Sequence, residues 1–197
     1  NLRCKHCSVY ELKNPHNMTY EQVREHLQYS YDLGSRFVDF EGGEVTIWKD
    51  GDKRINDLID LAKEIGFFSC TITTNAQLPF AGSKADSIWV SLDGAGEYHE
   101  EVRGKGTFAK LEKNIASCGH KHLSVNMVVN TLNYTAVEDT IEYAKNNPAI
   151  EQISINFHTP FEGTEYLALD MDKRREIIDK VLEYKKKGYA IMNSKSG

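Results

Sequence analysis

Helical and strand-like patterns alternate along most of the chain. Segments whose apolar residues recur every three or four positions predict helices, and short segments rich in Ile, Val, Thr and Phe predict strands. The predicted helices span residues 20–33, 55–65, 106–119, 136–147 and 172–188. The predicted strands span residues 36–43, 69–75, 87–92, 122–130 and 151–160, and 189–194 is a candidate for one more. This alternation predicts a parallel sheet with helical crossovers.

Two segments carry no long periodic pattern. Residues 75–87 hold at most a short helix, and residues 93–105 are interpreted as a loop that follows a strand. In that loop, Arg103 is expected to be a solvated arginine near the rim of the sheet. No low-complexity linker interrupts the chain, so residues 1–197 are expected to form a single domain.

The strands are polar on one face and apolar on the other. Side chains alternate between faces along a strand, and the polar set is Thr71, Thr73, Asn75, Ser91, Asp93, Ser124, Asn126, Asn130, Ser154, Asn156 and His158. The opposite set is Ile72, Ile88, Val90, Leu92, Val125, Met127, Val129, Ile153, Ile155 and Phe157. Helices would cover the apolar face, so the polar face is expected to line a wet or liganded lumen. This favours an α/β fold, a partial (β/α) TIM-like barrel of roughly (β/α)6 form, over a sheet with one solvent-exposed face.

Function in such a barrel lies at the carboxyl ends of the strands. Strand parity there predicts that Ser91, Asn126, Asn156 and His158 point into one shared cavity. At the end of the first visible strand, the stretch "EGGE" places Gly42 and Gly43 before Glu44. Two glycines let backbone come close to a ligand, and a carboxylate can accept hydrogen bonds from an ammonium group. The alternative is a tight turn with a surface glutamate.

Composition narrows the class of protein. With 24 basic and 29 acidic residues, the net charge is −5, which gives no electrostatic footprint for nucleic acid. No apolar run approaches the ~20 residues that cross a bilayer. Four cysteines in 197 residues do not suggest a disulfide-stapled secreted protein, so a cytoplasmic setting is expected. Cys70 and Cys118 are interpreted as buried or tolerated thiols.

The other two cysteines, Cys4 and Cys7, stand in "NLRCKHC" at the start of the chain. A zinc clip is one interpretation, although no second ligand pair lies nearby in the sequence. In order along the chain follow "GGEV", "TTNAQL", "VSLDGAGEYHEEVRGKGTFAKLEKNI" and "VNMVVNTLN". Together these motifs resemble the radical S-adenosylmethionine (SAM) superfamily, in particular the branch with cysteine-rich, SPASM-like C-terminal extensions. Val45 departs from the Gly-Gly-Glu-Pro pattern of that family.

The family motif is C-x3-C-x2-C, and its last two cysteines match Cys4 and Cys7. The resemblance therefore implies that the first cysteine and the first barrel strand lie ahead of Asn1, and that residues 1–197 are a core domain truncated at both ends. The chain by itself is expected to be inactive, to hold no stable cluster, and to be poorly ordered over residues 1–16. A cysteine and its strand restored ahead of Asn1 are expected to rescue anaerobic cluster assembly.

The resemblance also implies cofactors and roles. Three cysteines would hold a [4Fe-4S] cluster, and SAM would bind its open iron and be cleaved reductively to a 5′-deoxyadenosyl radical that abstracts hydrogen from a substrate. Cys4 and Cys7 would ligate iron. The residues implied in SAM binding are His6, Gly42, Gly43, Glu44, Ser91 and Asn126. For His6, an exposed loop histidine is the alternative to a side chain over the adenine.

No catalytic residue is assigned from the sequence. The expected partners are a small-molecule or peptide substrate and an electron donor such as flavodoxin or ferredoxin, with no nucleic acid and no membrane. Two other classes stay open at this point. One is a (β/α) barrel enzyme of another kind, such as a Schiff-base aldolase, although no strand from Phe37 to His158 ends in lysine. The other is a cluster-free barrel fragment that serves as a binding module.

Overall fold

Five parallel strands form one sheet in the order in which they occur along the chain. A computed structural model describes residues 1–11 and 16–194, without the side chains of Tyr10 and Glu11. The strands are β1 Phe37–Phe40, β2 Ser69–Thr74, β3 Ser87–Ser91, β4 Leu123–Val129 and β5 Gln152–Phe157. Each strand pairs in parallel with the next, so all five carboxyl ends meet along one edge of the sheet.

Helices connect the strands. They are α1 Tyr20–Asp32, α2 Ile55–Ile65, α3 Glu97–Arg103, α4 Thr107–Cys118, α5 Val137–Asn146 and α6 Met171–Lys186. Local sequence sets several of their ends. Thr19 and Gln22 form a reciprocal capping box at the start of α1. Gly66 ends α2 in the left-handed region at φ 117°, where a Cβ would lie 2.8 Å from the Tyr31 hydroxyl, so a larger residue would strain the backbone and displace that ring.

The core lies between the helices and the apolar face of the sheet. Alternate strand residues are buried there, and the set that the sequence pattern predicted is buried as expected. Those residues, exposed by 5% or less, are Ile72, Ile88, Val90, Leu92, Val125, Met127, Val129, Ile153 and Ile155. Phe157 also faces the helices, since the Arg174 guanidinium of α6 lies 5.3 Å from its ring centre. The opposite face keeps the polar residues.

The prediction of a parallel α/β partial barrel is confirmed, and the helix and strand bounds agree to within a few residues. The candidate sixth strand is reduced to one parallel bridge between Ile153 and Ile191. Residues 75–86 form no helix or strand and contain a turn at 81–82. The interpretation of residues 93–105 as a loop was wrong, because α3 occupies 97–103. Its seven residues have no apolar stripe long enough to signal a helix.

Within residues 1–11 and 16–194, no helix is long and apolar enough to cross a membrane. The expectation of poor order over residues 1–16 without a cluster stays a prediction, and its residues 12–15 lie outside the described part of the chain.

Candidate functional site

The cysteine segment, residues 1–7, lies against the carboxyl ends of the strands. Asn75 follows β2 and donates from Nδ2 to Asn1 Oδ1 at 2.8 Å. The Lys5 N–H donates to the Val102 carbonyl of α3 at 3.0 Å, and the Lys5 and Glu101 side chains form an ion pair. The helix that sequence analysis missed is therefore the element that holds this segment against the sheet.

Cys4 and Cys7 lie in one tight turn, in which the Cys7 N–H donates to the Cys4 carbonyl at 3.1 Å. Both thiols are free and half-buried. Burial raises the pKa of Cys4, and the neighbouring Arg103 opposes that rise. Among the described residues, no three His, Cys, Asp or Glu side chains are grouped to hold a metal ion. The turn thus presents two neighbouring thiols and no third ligand from the described residues.

Beneath the turn lies a group of side chains that we call the buried ion-pair cluster: Asp93, His99 and Arg103. Arg103 Nε donates to Asp93 Oδ2 at 2.6 Å, and the Val128 N–H donates to Asp93 Oδ1 at 2.9 Å. Burial acts to raise the pKa of Asp93, but Arg103 holds it below its usual range. The expectation of a solvated Arg103 was wrong, because this residue is only 9% exposed. A buried arginine of this kind requires a paired carboxylate.

His99 and His6 both lie next to Asp93 of the ion pair. Asp93 donates its backbone N–H to His99 Nδ1 at 3.2 Å. Burial and the neighbouring Arg103 charge together lower the pKa of His99 to about 4. His6 Nε2 lies 3.7 Å from Asp93 Oδ2, and its side chain is only 12% exposed. Burial lowers the pKa of His6 as well. The alternative of an exposed loop histidine is therefore wrong for His6, and its place over the adenine stays a prediction.

Glu44 joins the loop after β1 to the end of β2. Its Oε1 accepts hydrogen bonds from the Thr46 N–H at 3.2 Å, the Thr46 hydroxyl at 2.7 Å and the Thr74 hydroxyl at 2.6 Å. Its Oε2 accepts one from the Asn75 N–H at 2.7 Å. Since a carboxylate has about four acceptor sites, Oε1 is fully used and Oε2 keeps one site. The carboxylate is only 7% exposed and is not the surface glutamate of the alternative interpretation.

The two glycines before Glu44 face open space. Gly42 has φ 126°, which favours glycine, and an added Cβ at either Gly42 or Gly43 would meet no atom within 4 Å. The space above this backbone can therefore receive a ligand group close to the peptide atoms. The predicted contact of these residues with the SAM ammonium group is compatible with that space and stays a prediction.

A second polar region, the amide wall, consists of Asn126, Ser154 and Asn156 on the polar face. Asn156 Nδ2 donates to Asn126 Oδ1 and to Ser154 Oγ. Ser91 pairs with Asn126 in register and is half-buried beside this wall. The structure thus places three of the four predicted lumen residues, Ser91, Asn126 and Asn156, on one face.

The fourth, His158, is buried deeper. Its Nε2 lies 3.1 Å from Thr164 Oγ1, and its ring centre lies 6.5 Å from that of His6. Burial lowers its pKa. It is therefore on the side of the cysteine segment and not under the outer helices, as strand parity required.

Other polar side chains that the sequence singled out serve the fold. Asn130 is fully buried, accepts from the Leu132 N–H and donates to the Val128 carbonyl, which closes the turn after β4. Cys118 ends α4 and lines a cavity of about 440 Å³ at the amino ends of the strands. Cys70 is the second residue of β2 and has no exposed surface. As predicted, both of these thiols are remote from the cysteine segment.

Sequence analysis missed His99 and misjudged Arg103. One local signal was present: the two residues are four apart in "EYHEEVR", so on a helix they share a face. That signal depends on knowing that the segment is helical. The buried Asn133, which donates from Nδ2 to the Asp93 carbonyl at 2.8 Å, carried no such signal.

The chain matches the radical SAM superfamily over residues 1–144. It is 31% identical over 181 residues to GTP 3′,8-cyclase of Clostridium botulinum, a match that covers 80% of this chain and 52% of the relative. The chain thus spans about half the length of the curated relatives it matches.

Solved structures share the fold. SuiB from Streptococcus suis bound to S-adenosylmethionine superposes with a TM-score of 0.78 at 21% identity, covering 97% of this chain and 46% of SuiB. TYW1 with a lysine-pyruvate adduct gives a TM-score of 0.67 at 13% identity, covering 92% of this chain and 69% of TYW1. Fold and sequence together place the chain in a class of SAM-dependent enzymes built on partial barrels. The chain belongs to the radical SAM superfamily, whose members bind a [4Fe-4S] cluster and SAM.

Proposed function

We propose that this chain is the core of a radical SAM enzyme that binds a [4Fe-4S] cluster at Cys4 and Cys7 and cleaves SAM reductively. The observation that carries the proposal is the position of the Cys4–Cys7 turn. It lies at the carboxyl ends of a parallel sheet, where Asn75 bonds both Asn1 of the cysteine segment and Glu44, the residue after Gly42 and Gly43. When bound, the cluster would supply the electron that converts SAM to a 5′-deoxyadenosyl radical, which takes a hydrogen atom from substrate.

The residues of this chain would bind, orient and shield the cofactors. Cys4 and Cys7 would supply two thiolates, because thiolates are the protein ligands of iron–sulfur clusters. The backbone at Gly42 and Gly43 and the free acceptor site of Glu44 would meet the ammonium group of SAM. Burial lowers the pKa of His6, so its ring is neutral at pH 7. The face of this neutral ring would pack against the adenine of SAM.

The amide wall is proposed to face the substrate. Asn126, Ser154 and Asn156 offer donors and acceptors without charge, and Asn156 is exposed on the polar face. Ser91 and Asn126 are proposed to reach SAM from the same face. Neutral amides suit a small polar molecule or a peptide backbone, and an electron donor such as flavodoxin or ferredoxin would reduce the cluster.

The test is anaerobic reconstitution of the full-length protein with iron and sulfide, followed by dithionite and SAM. Chromatography should detect 5′-deoxyadenosine and methionine, and electron paramagnetic resonance should show a reduced four-iron cluster. Cys7→Ala should abolish both signals. Cys118→Ala, which removes a free thiol at the far end of the sheet, should retain them. A wild-type protein that assembles no cluster, or a Cys7→Ala protein with full activity, would refute the proposal.

The binding-module alternative predicts a different outcome of the same experiment. In that case the folded wild-type protein would bind SAM without forming 5′-deoxyadenosine under any reducing condition. The Schiff-base alternative gains no support, because the described carboxyl ends of the five strands present Glu, Asn, Asp and His side chains and no lysine.

A further inference from the structure

Arg103, the buried arginine that sequence analysis expected to be solvated, also contacts the cysteine turn. Arg103 Nη1 lies 3.9 Å from Cys4 Sγ, while Nε of the same guanidinium donates to Asp93 Oδ2 at 2.6 Å. Arg103 is 9% exposed and Asp93 is fully buried. Little water therefore reaches the Arg103–Asp93 pair, and the ion pair fixes the orientation of the guanidinium beside the half-buried Cys4.

We propose that Arg103 donates a hydrogen bond to the Cys4 thiolate of the bound cluster and raises the reduction potential of that cluster. The inference rests on the proposed function, because it assumes that Cys4 ligates iron. It goes further, because it assigns control of the reduction potential to a residue that contacts a cluster ligand and does not itself bind iron.

The physical argument concerns charge. Reduction adds one negative charge to the cluster, part of which resides on the cysteine sulfurs. An N–H donor with a full positive charge stabilises that electron-rich state more than the oxidised state. The effect is large where solvent is excluded, because the effective dielectric constant is lower there. Arg103 thus makes the cluster easier to reduce than a site without this donor.

The shape of the guanidinium allows this double role. Arginine carries five N–H donors in a rigid fork, so one edge can bind a carboxylate while another nitrogen points elsewhere. Asp93 is itself fixed, since its Oδ1 accepts from the Val128 N–H of β4. A rigid path therefore runs from the backbone of β4 through Asp93 and Arg103 to Cys4. Lysine has one nitrogen and cannot reach both Asp93 and Cys4 with the same geometry.

The test compares wild-type protein with Arg103→Lys, which keeps the positive charge. Full-length, cluster-loaded proteins are titrated potentiometrically, with the reduced cluster followed by electron paramagnetic resonance. Arg103→Lys should lower the midpoint potential. We expect about a tenfold lower ratio of reduced to oxidised cluster at a fixed potential, which corresponds to about 59 mV for one electron. An unchanged potential at wild-type iron content would overturn the inference.

The matched control is Arg36→Lys. Arg36 also uses its guanidinium for two fixed acceptors, the Tyr31 and Ser35 carbonyls, at the opposite end of the sheet. Its replacement should leave the potential unchanged. An equal shift in both variants would mean that the effect is general and would also overturn the inference.

A second measurement needs no Arg103 variant. In wild-type protein grown with guanidino-¹⁵N arginine, pulsed electron paramagnetic resonance should detect ¹⁵N coupling to the reduced cluster. The signal should persist in Arg3→Lys, which removes the arginine next to Cys4 in the sequence. If the wild-type protein shows no ¹⁵N coupling, the inference is overturned, even where Arg103→Lys fails to fold. A protein that forms 5′-deoxyadenosine without this coupling refutes the inference alone, whereas one that assembles no cluster refutes the proposed function and the inference with it.

Discussion

The buried ion-pair cluster and the amide wall lie on the same side of one sheet, yet they differ in charge and in access to solvent. Asp93 and His99 have no exposed surface, and both carboxylate oxygens of Asp93 are bonded to fixed protein donors. Asn156 in the amide wall is exposed, and its amide nitrogen donates to two other side chains of the wall. The first region is built to hold protein groups in place, whereas the second has polar atoms that a ligand can reach.

This difference shows why polarity alone does not identify a ligand contact. A charge without water must be paired, since an unpaired buried charge is strongly destabilising. A neutral amide at the surface has no such requirement and can exchange water for a ligand. Substitutions in the buried ion-pair cluster should therefore reduce mainly stability. Substitutions in the amide wall should reduce mainly activity.

The largest effect is expected for Asp93→Ala. It leaves the Arg103 charge buried without its carboxylate and the Val128 N–H without an acceptor. The loss in free energy of unfolding should be about 3–5 kcal/mol, measured by urea denaturation. Asp172→Ala, which breaks an ion pair at the surface with Arg175, is the control and should change little. Equal losses in the two variants would contradict the proposed difference between buried and exposed charge.

The next effect is a loss of stability in acid through His99. Its pKa is about 4 in the folded protein against an ordinary 6.5, so protons bind the unfolded chain more readily. Its contribution is complete above pH 6.5 and is lost as the pH falls from 6.5 towards 4. The span of about 2.5 pH units corresponds to about 3 kcal/mol.

Urea denaturation at pH 7 and pH 4.5 measures this dependence. His99→Gln should reduce this dependence and leave the part due to His6 and His158, whose pKa values are also lowered. His122→Gln, at an exposed histidine, should leave it as in wild type. A pH dependence that is unchanged in His99→Gln would assign the acid sensitivity to other groups.

Glu44→Gln should have an intermediate effect. In either orientation of the new amide, its NH2 group faces a backbone donor, the N–H of Thr46 or that of Asn75. The cost should be about 1–3 kcal/mol in the free energy of unfolding. If Glu44 also binds SAM, calorimetry on the cluster-loaded full-length protein should show a loss of about 1–3 kcal/mol in binding.

Thr74→Val separates the two roles of Glu44. It removes the hydroxyl that donates to Glu44 Oε1 and leaves the carboxylate itself intact. SAM affinity in Thr74→Val should stay close to that of the wild type. Unchanged SAM affinity in Glu44→Gln would mean that Glu44 joins the two loops and does not bind SAM.

The smallest effect on stability is expected for Asn156→Ala, within about 0.5 kcal/mol, since the side chain is exposed. Its effect should fall on turnover of substrate, measured as product formed per 5′-deoxyadenosine released. Ile155→Ala is the contrasting variant, because Ile155, which precedes Asn156 on β5, is only 5% exposed and its truncation should lower stability. An Asn156→Ala protein with unchanged coupling would remove the amide wall from the substrate site.

The fold could be predicted largely because hydrophobic alternation and helix periodicity are local signals. Strand parity alone divided the residues of β3, β4 and β5 between the core and the polar face, and the buried set agrees. The short α3 gave no such signal, since seven residues make fewer than two full turns of periodic pattern. Because α3 was interpreted as a loop, Arg103 was expected to be solvated. Its burial follows from its position on the helix and not from the sequence around it.

The candidate site could be predicted in part, through motifs at strand ends. Cys4, Gly42 and Ser91 were placed correctly on the carboxyl side, because parallel strands bring their carboxyl ends together. The internal partners of Glu44 and the pairing of His99 with Asp93 were not predictable, since they join residues far apart in sequence or on an unrecognised helix. Such long-range hydrogen bonds depend on the folded geometry and produce no periodic pattern in the amino-acid sequence.

Asp93 receives hydrogen bonds from β4 and α3 and contributes its own backbone groups to His99 and Asn133. Residues that share one network respond to substitution as a unit, so double-mutant cycles that include Asp93 and Arg103 should be strongly non-additive. Once one member is lost, a change in the other costs little. An engineer who wishes to alter the amide wall can vary its positions one at a time, whereas Asp93 and Arg103 have to be exchanged in the same step.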